Sequence, residues 1–401
     1  MFDQPLLPVE MPPPGSTVAV ALSGGVDSSL VAALMAERGC RVVGVTMRVY
    51  DGSIEFPEGT GTGCYGPGEE EDEAACKRLC DRLGAEYRVI DLSAEYAKEI
   101  LGYFKSEYRA GRTPNPCLRC NPLLKFGMLP AALRASGIPF DYYATGHYAR
   151  LFAPGGDTER GAYLAPAVDF TKDQSYFLHR VGADALKNAR FPLGEMTKKR
   201  VRALARERGL EVAEKPDSQD FIASEDYGPL FSDAPSPEGE IVDEDGKPLG
   251  RHHGIVRYTV GQRRGLGISA GPDPLYVLAV DARANRVVVG PEHGLFADAL
   301  EASDVVWAQG FGAEPFRALV KIRLASKPSP ALVTPLSGGR VRVDFDVLQR
   351  AVAPGQSVAY YVEGAAPIVN DSGVEAGPLD GYFVAGGAVI DRRVEKTAAP
   401  L

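Results

Sequence analysis

The run Thr17-Val18-Ala19-Val20-Ala21-Leu22 passes without a spacer into Ser23-Gly24-Gly25-Val26-Asp27-Ser28, and this junction constrains the fold more than any other part of the chain. The first six residues are short and apolar, as in a buried strand. From Asp27 to Gly39 the apolar residues Leu30, Val31, Leu34 and Met35 recur at helical spacing, and the segment ends on a glycine. Between strand and helix, two glycines let the backbone turn tightly and approach a ligand without a Cβ clash. A helix opening this way offers its free amides and its dipole to an anion. Ser23 and Ser28 add hydroxyl donors. Asp27 repels bare phosphate, so its place in the turn predicts Mg²⁺ held between it and the phosphates of ATP. The residues expected around the nucleotide are Ala21, Leu22, Ser23, Gly24, Gly25, Val26, Asp27 and Ser28.

The alternation continues. Arg41–Val49, Tyr87–Leu92 and Tyr142–Thr145 read as strands. Glu69–Leu83, Ser93–Tyr108 (with Ser93 as cap) and Leu123–Ser136 read as helices. This is the pattern of an α/β domain, a parallel sheet with helices on both faces. Ligands bind such sheets at the carboxyl ends of the strands, so the loops after Leu22, Val49 and Thr145 are expected on one rim. Lys187–Arg208 reads as a basic helical stretch, able to hold phosphates or simply to face solvent. After the linker-like Ala234–Gly239, β-branched runs broken by Gly and Pro (277–280, 286–289, 319–324, 339–345, 357–362, 381–390) predict an all-β part ending in a small barrel. The expected divisions are a flexible leader over residues 1–15, an α/β catalytic domain over 16–224, a small central domain over 225–296 and a C-terminal β-barrel over 297–401.

A length of 401 residues calls for more than one domain. No run approaches 18 apolar residues, so no membrane span is expected, and the Pro-rich, acidic start carries neither a signal nor a transit peptide. The protein is therefore read as cytoplasmic. A net charge of −9 argues against a general nucleic-acid binder while leaving room for a basic stripe. Six cysteines spread over this length do not make a disulfide scaffold. Cys40, Cys76 and Cys80 fall on helix or strand patterns and read as core. Cys117 and Cys120 differ. In Thr113-Pro114-Asn115-Pro116-Cys117-Leu118-Arg119-Cys120-Asn121 two prolines stiffen a loop that is expected to bring Cys120 to or near a helix N-terminus, where the dipole lowers a thiol pKa. Such a Cys-x-x-Cys is a redox dithiol or half of a metal or iron–sulfur site.

The glycine turn resembles the PP-loop of the ATP pyrophosphatase superfamily (adenine nucleotide alpha hydrolase-like fold). The chain as a whole resembles the tRNA-specific 2-thiouridylase family. The resemblance is carried by that loop and by Arg112–Asn121, Ala144–Arg150, Lys172–Leu178, Phe191–Gly194, Lys215–Asp220, Tyr258–Gly267 and Pro354–Gln356. It implies an enzyme that uses ATP to adenylate the 2-oxygen of the wobble uridine in tRNA, after which sulfur displaces AMP. It further implies that Met47 and Gly146 touch ATP. Asn115, Pro116 and Cys117 lie beside the target base. His147, Lys172, Asp173, Gln174, Gln356 and the pair Arg323-Leu324 contact tRNA; that pair is usually Arg-Tyr. Cys120 matches the first catalytic cysteine. A sulfur-donor protein or sulfide is the implied second partner, and a monomer suffices.

One departure matters. Many members of the family carry a second catalytic cysteine soon after the Ser-Gln-Asp/Glu segment, where this chain continues Phe221-Ile222-Ala223. Two arrangements can replace the missing thiol. Cys64, Cys117 and Cys120 meet and hold a [4Fe–4S] cluster with one open iron. Alternatively, Cys64 takes over persulfide chemistry opposite Cys120, in which case a Cys64–Cys120 or Cys117–Cys120 disulfide is expected on oxidation. The competing functions are another PP-loop synthetase or tRNA sulfurtransferase, an RNA-binding protein on an inactive scaffold, and a redox dithiol protein. The intact Asp27 and Ser28 speak against an inactive scaffold, and a redox function leaves the PP-loop idle.

Overall fold

The computed structural model describes residues 5–56, 63–217, 221–222, 227–268, 273–364 and 377–394. Expectations for Ser218, Gln219, Asp220 and Ala223 lie outside these. The chain enters through β1 (Leu6–Pro8) and then builds β2 (Thr17–Ala21), β3 (Arg41–Arg48), β4 (Glu86–Asp91) and β5 (Tyr142–Ala144). After β6 (Ala149–Pro154) and β7 (Tyr163–Pro166) comes β8 (Ala189–Arg190). Strands β4-β3-β2-β5-β8 form one parallel sheet with β2 at its centre. Val18 pairs with both Val42 and Tyr142; β5 stops opposite Val20, β2 stops at Ala21 opposite Val45, and β3 runs on to Arg48. Helices α1 (Val26–Glu37) and α2 (Glu69–Leu83) pack on this sheet. Val18, Val20, Leu30, Val31 and Cys80 are buried together there.

The leader is not loose. Strand β1 pairs with β6 in a three-stranded sheet, and Leu6 and Val9 are buried. Arg38 Nε donates to the Pro12 carbonyl at 2.7 Å, and Arg190 Nε donates to that of Glu10 at 2.8 Å. Proline takes away amide donors but leaves carbonyl acceptors, which these arginines use. The helix after β4 begins at Ser93 without the expected Ser93 cap. Asp91 accepts from the Ser93 amide and hydroxyl instead, at 3.0 and 2.7 Å. Two helices contain wide π turns, at Ala97–Leu101 and Asn121–Met128.

The central part is a four-stranded sheet in the order β10 (Pro248–His252), β9 (Gly239–Val242), β12 (Arg286–Gly290) and β11 (Tyr276–Asp281). The last part closes into a six-stranded barrel, β13-β16-β15-β14-β17-β18. Its strands are β13 (Phe296–Trp307), β14 (Phe316–Lys321), β15 (Ser329–Leu336), β16 (Arg340–Arg350), β17 (Ser357–Glu363) and β18 (Tyr382–Val394). Leu300, Val320, Val333, Val343, Tyr360 and Phe383 fill it. Closure removes the free sheet edges. Strands β13 and β15 escaped the sequence reading. Two prolines in β15 argue against a strand, yet Pro330 and Pro335 are both paired. In β13, register shifts and a left-handed Asp304 (φ 53°) break the alternation.

The barrel is tied to the Pro-framed cysteine loop. The Thr113 amide donates to the Pro354 carbonyl at 2.8 Å, and Gln356 Nε2 donates to the Thr113 carbonyl at 2.9 Å. Nearby, Tyr176 Oη donates to the Ser357 carbonyl at 2.9 Å inside the core. Tyr176→Phe leaves that buried carbonyl unpaired and should cost about 1–2 kcal/mol. Denaturant unfolding followed by fluorescence of Trp307, the only tryptophan, should show the barrel transition at lower denaturant; an unchanged midpoint would count against this junction as a stabilising contact.

Candidate active site

The glycine turn leaves the end of β2 beneath the first turn of α1. Gly25 precedes the helix with no side-chain cap, so the first amides remain open to an anion. The turn is braced from within. The Ser23 amide donates to Ser28 Oγ at 3.2 Å, and Ser28 Oγ donates to the Gly25 carbonyl at 3.3 Å. Gly24 needs its left-handed φ of 70°, and a Cβ there would meet the Asp72 side chain at 2.6 Å. Gly146, after β5, lies against the turn; a Cβ on it would stand 2.9 Å from the Ser28 amide nitrogen.

Asp27 is already occupied. Lys198 Nζ donates to its two oxygens at 2.8 and 2.7 Å, and Tyr148 Oη donates at 2.8 Å. Lys198 opens helix α3 (Lys198–Glu207), which Thr197 caps by accepting from the Arg200 amide. The same ammonium lies 2.9 Å from Asp217, which also pairs with Lys172 and Arg202. Burial works against charge on Asp217, but the hydrogen bonds from Lys198 and Lys172 outweigh it and hold its pKa at about 2. Lys215 donates to the Gly24 carbonyl and pairs with Asp72. The turn is thus ringed by Lys172, Lys198, Arg202 and Lys215, each on a carboxylate. A cation already on Asp27 shows that the carboxylate suits one, so Mg²⁺ fits here once Lys198 yields to it.

The second centre is a cavity of about 20 Å³ lined by Met47, Cys64, Tyr96, Pro116, Cys117, Cys120, Lys125 and Phe221. The three cysteines singled out by sequence therefore share one space, and all six cysteines are free thiols. Cys64 comes in because the Tyr65 amide donates to the Phe221 carbonyl at 2.8 Å and Tyr65 bridges Ile222. An aromatic core of Tyr65, Tyr96, Phe104 and Phe221 floors the site. Met47 stands at the end of β3, on the cavity wall.

Cys120 does not lie at a helix N-terminus. Cys117 takes that place, its amide donating to Asn115 Oδ1 at 3.1 Å, and Cys120 lies three residues further in. Burial raises its thiol to about 11, with Lys125 opposing and Cys64 adding to the shift. A [4Fe–4S] cluster does not fit. The space is that of roughly one water molecule, and among the described residues no three His, Cys, Asp or Glu side chains converge as metal ligands.

Several residues expected on tRNA face inward. Asp173 accepts from the amides of Ala167 and Ser175 and from Ser175 Oγ, at 2.9–3.1 Å. Gln174 Oε1 accepts from the Tyr148 amide, and Gln356 is spent on Thr113. His147 is half-buried beside Phe126, its ring 2.8 Å from Thr145 Oγ1; burial, then Lys125, lowers its pKa to about 3. Lys172 is half-exposed but paired, whereas Leu324 is exposed. Arg323 is half-buried and reaches the Arg350 carbonyl. Nor is Lys187–Arg208 one basic helix. Only Lys198–Glu207 is helical there, and Lys187, Arg200, Arg206 and Arg208 each pair with a glutamate. Asn115 also lines a cleft of about 170 Å³ with Arg112, Arg119 and Arg180, where the α/β part meets the barrel. Lys125, Tyr148 and Asp217 are the site residues that the sequence reading gave no role of their own.

The tRNA methyl transferase HUP domain family matches residues 16–223, its PRC-barrel domain family residues 230–291, and the aminomethyltransferase beta-barrel domain family residues 297–366. Among curated proteins, the tRNA-specific 2-thiouridylase MnmA of Endomicrobium trichonymphae is 42% identical over 348 residues, 86% of this chain and 95% of that protein. The proteins of the same name from Roseiflexus castenholzii and Acetivibrio thermocellus are 44% and 41% identical. They align over 88% and 93% of this chain and 99% and 98% of their own.

Two outcomes test this geometry. Gly146→Ala should raise the KM for ATP on the order of tenfold or more by pushing on the Ser28 amide, as measured by ATP–pyrophosphate exchange. Iodoacetamide should label exposed Cys64 well before buried Cys120, whose labelling should quicken as pH rises towards 11; equal rates at neutral pH would contradict the placement of Cys120.

Proposed function

The chain belongs to the tRNA-specific 2-thiouridylase family, and from that premise we infer that ATP is spent at the Ser23–Ser28 turn to activate a tRNA uridine that takes its sulfur from the cavity of Cys64, Cys117 and Cys120. The activity is ATP-dependent tRNA 2-thiolation. One observation supports assigning it to these two centres: β2, β3 and β5 run parallel, so their carboxyl ends, with the phosphate turn, Gly146 and the Met47 wall of the sulfur cavity, gather at one edge of the sheet.

The chemistry follows from what each centre offers. A carbonyl oxygen is a poor leaving group. When uridine O2 attacks the α-phosphorus of ATP, pyrophosphate leaves and O2 becomes part of AMP. The open amides of α1 hold the phosphates, and Ser23 and Ser28 add donors. Lys198 and Lys215 stand close enough to exchange carboxylate partners for phosphate oxygens. Mg²⁺ bound at Asp27 would neutralise charge on the departing pyrophosphate. A sulfur nucleophile then attacks C2, and AMP leaves with O2. Reaching C2 requires the wobble uridine to be turned out of the anticodon loop. Asn115, Pro116 and Cys117 frame the entrance, and the cleft of Arg112, Arg119 and Arg180 seats the adjoining backbone.

Cys64 is read as the stand-in for the family's second thiol, since its neighbour Tyr65 pairs with Ile222, where that thiol is absent. The donor is a sulfur-carrying protein or sulfide. Both centres come from one chain, so the working unit is read as a monomer, and its substrate places it in the cytoplasm. Among the described residues no helix is long and apolar enough to cross a membrane.

ATP–pyrophosphate exchange separates this reading from a synthetase, because it should require tRNA. Asp27→Asn should lose the exchange. Cys120→Ser should keep it while 2-thiouridine formation, measured by nucleoside mass spectrometry, falls on the order of 100-fold or more. Full thiolation by Cys120→Ser would move the sulfur site elsewhere.

A further inference from the structure

Lys125 stands among the three thiols, and among the described residues no carboxylate answers it. It lies in the wide turn Asn121–Met128, where i→i+5 spacing brings residue 125 over residue 120. The Tyr143 hydroxyl, from β5, donates to the Lys125 carbonyl at 2.7 Å and fixes this turn against the sheet. The side chain is half-buried on the cavity wall with Cys64, Cys117 and Cys120. Burial opposes its charge, but the Cys64, Cys120 and Cys117 sulfurs, the charges that favour it among the described residues, leave the net shift upward. Yet burial pushes Cys120 up to about 11, so that thiol carries no charge at neutral pH. His147 is held neutral and offers no negative charge. A desolvated ammonium without an anion is costly. The cavity is thus positive, apolar on its far side and the size of one small particle.

We propose that this cavity is an anion site for the sulfur nucleophile, with the Lys125 ammonium as the group that binds it. The sulfur anion is hydrosulfide or the terminal sulfur of a persulfide on Cys120. This rests on the thiolation reading above and adds the residue that holds the sulfur. With hydrosulfide the step needs no oxidant or reductant. The C2–S bond forms, the C2–O2 bond breaks, AMP leaves with O2 and the electron pair, and the hydrosulfide proton ends on N3. With a Cys120 persulfide the outer sulfur attacks C2 and AMP leaves. Cys64 thiolate then attacks Cys120 Sγ, the S–S bond to the transferred sulfur breaks, and a Cys64–Cys120 disulfide remains. Hydrosulfide attack on Cys120 Sγ opens that disulfide, restores the Cys120 persulfide and releases the Cys64 thiolate.

The test uses the full chain, tRNA, ATP and sodium sulfide under anaerobic conditions, with 2-thiouridine as readout. Lys125→Met should raise the KM for sulfide roughly tenfold, the loss expected of one charge-assisted contact. Lys125→Arg should restore it to within about threefold. In the unaltered enzyme, bromide, a spherical anion of similar size, should raise the KM for sulfide without changing kcat, against acetate at equal ionic strength. Turnover by fully reduced enzyme, which holds no disulfide for sulfide to open into a persulfide, identifies hydrosulfide as the source. Turnover only by the Cys64–Cys120 disulfide form, lost on prior reduction with dithiol, identifies the persulfide, and the Lys125→Met loss then appears in that form. An unchanged sulfide dependence in Lys125→Met, or bromide acting no differently from acetate, overturns the proposal. If the unaltered enzyme shows no tRNA-dependent pyrophosphate exchange, the thiolation reading itself fails, which is a separate result.

Discussion

The parallel pairing of β2 with β3 on one side and β5 on the other is the constraint from which the site follows. Parallel strands must be joined by long crossovers, and their carboxyl ends gather at one edge. Three stretches far apart in sequence are thereby fixed within reach of one substrate: the glycine turn, the Met47 edge with the cysteine cavity behind it, and Gly146. The buried apolar residues of β2 and α1 make this arrangement rigid. A phosphate turn and a sulfur cavity can then serve one uridine without large movements of the sheet.

Charge is handled in the same economical way. The chain carries a net −9 and yet must meet a polyanion. Its cations around both centres are mostly held by carboxylates: Lys198 by Asp27 and Asp217, Lys215 by Asp72, Arg180 by Asp304. On the proposed reading, phosphate binding is an exchange of partners rather than the filling of an open basic surface. Exchange lowers the gain per contact, since each new ion pair replaces an old one, and it favours ligands that engage several cations at once. Lys125 is the exception, a cation whose described surroundings supply thiols and no carboxylate.

Much of this was legible from the residues. The strand, turn and helix at Thr17–Glu37 follow from local pattern alone, and so does Glu69–Leu83. The meeting of Cys64 with Cys117 and Cys120 follows from the rim argument. What was missed depends on tertiary context. Asp173, Gln174 and Gln356 are half-buried polar residues in loops, and nothing local tells that their side chains also hydrogen-bond backbone amides and a carbonyl of neighbouring segments. Cys120 lies near a helix start as expected, three residues in from Cys117, but its burial outweighs the dipole and raises its pKa. Lys125 was invisible for a geometric reason. Five residues of α-helix end about 140° away from the starting side chain, so Cys120 and Lys125 look unrelated until the π turn is seen. Strand β15 was hidden by its prolines.

The bridge between Tyr65 and Ile222 has a consequence of another kind. Two backbones that run side by side at ladder spacing offer nearly the same point in space from either chain segment. A thiol lost from one can be regained on the other without moving the chemistry. The requirement is then a location, and the sequence is free to meet it from either of two addresses some 150 residues apart. The single rung between Tyr65 and Ile222 is what brings the Cys64 segment to that location.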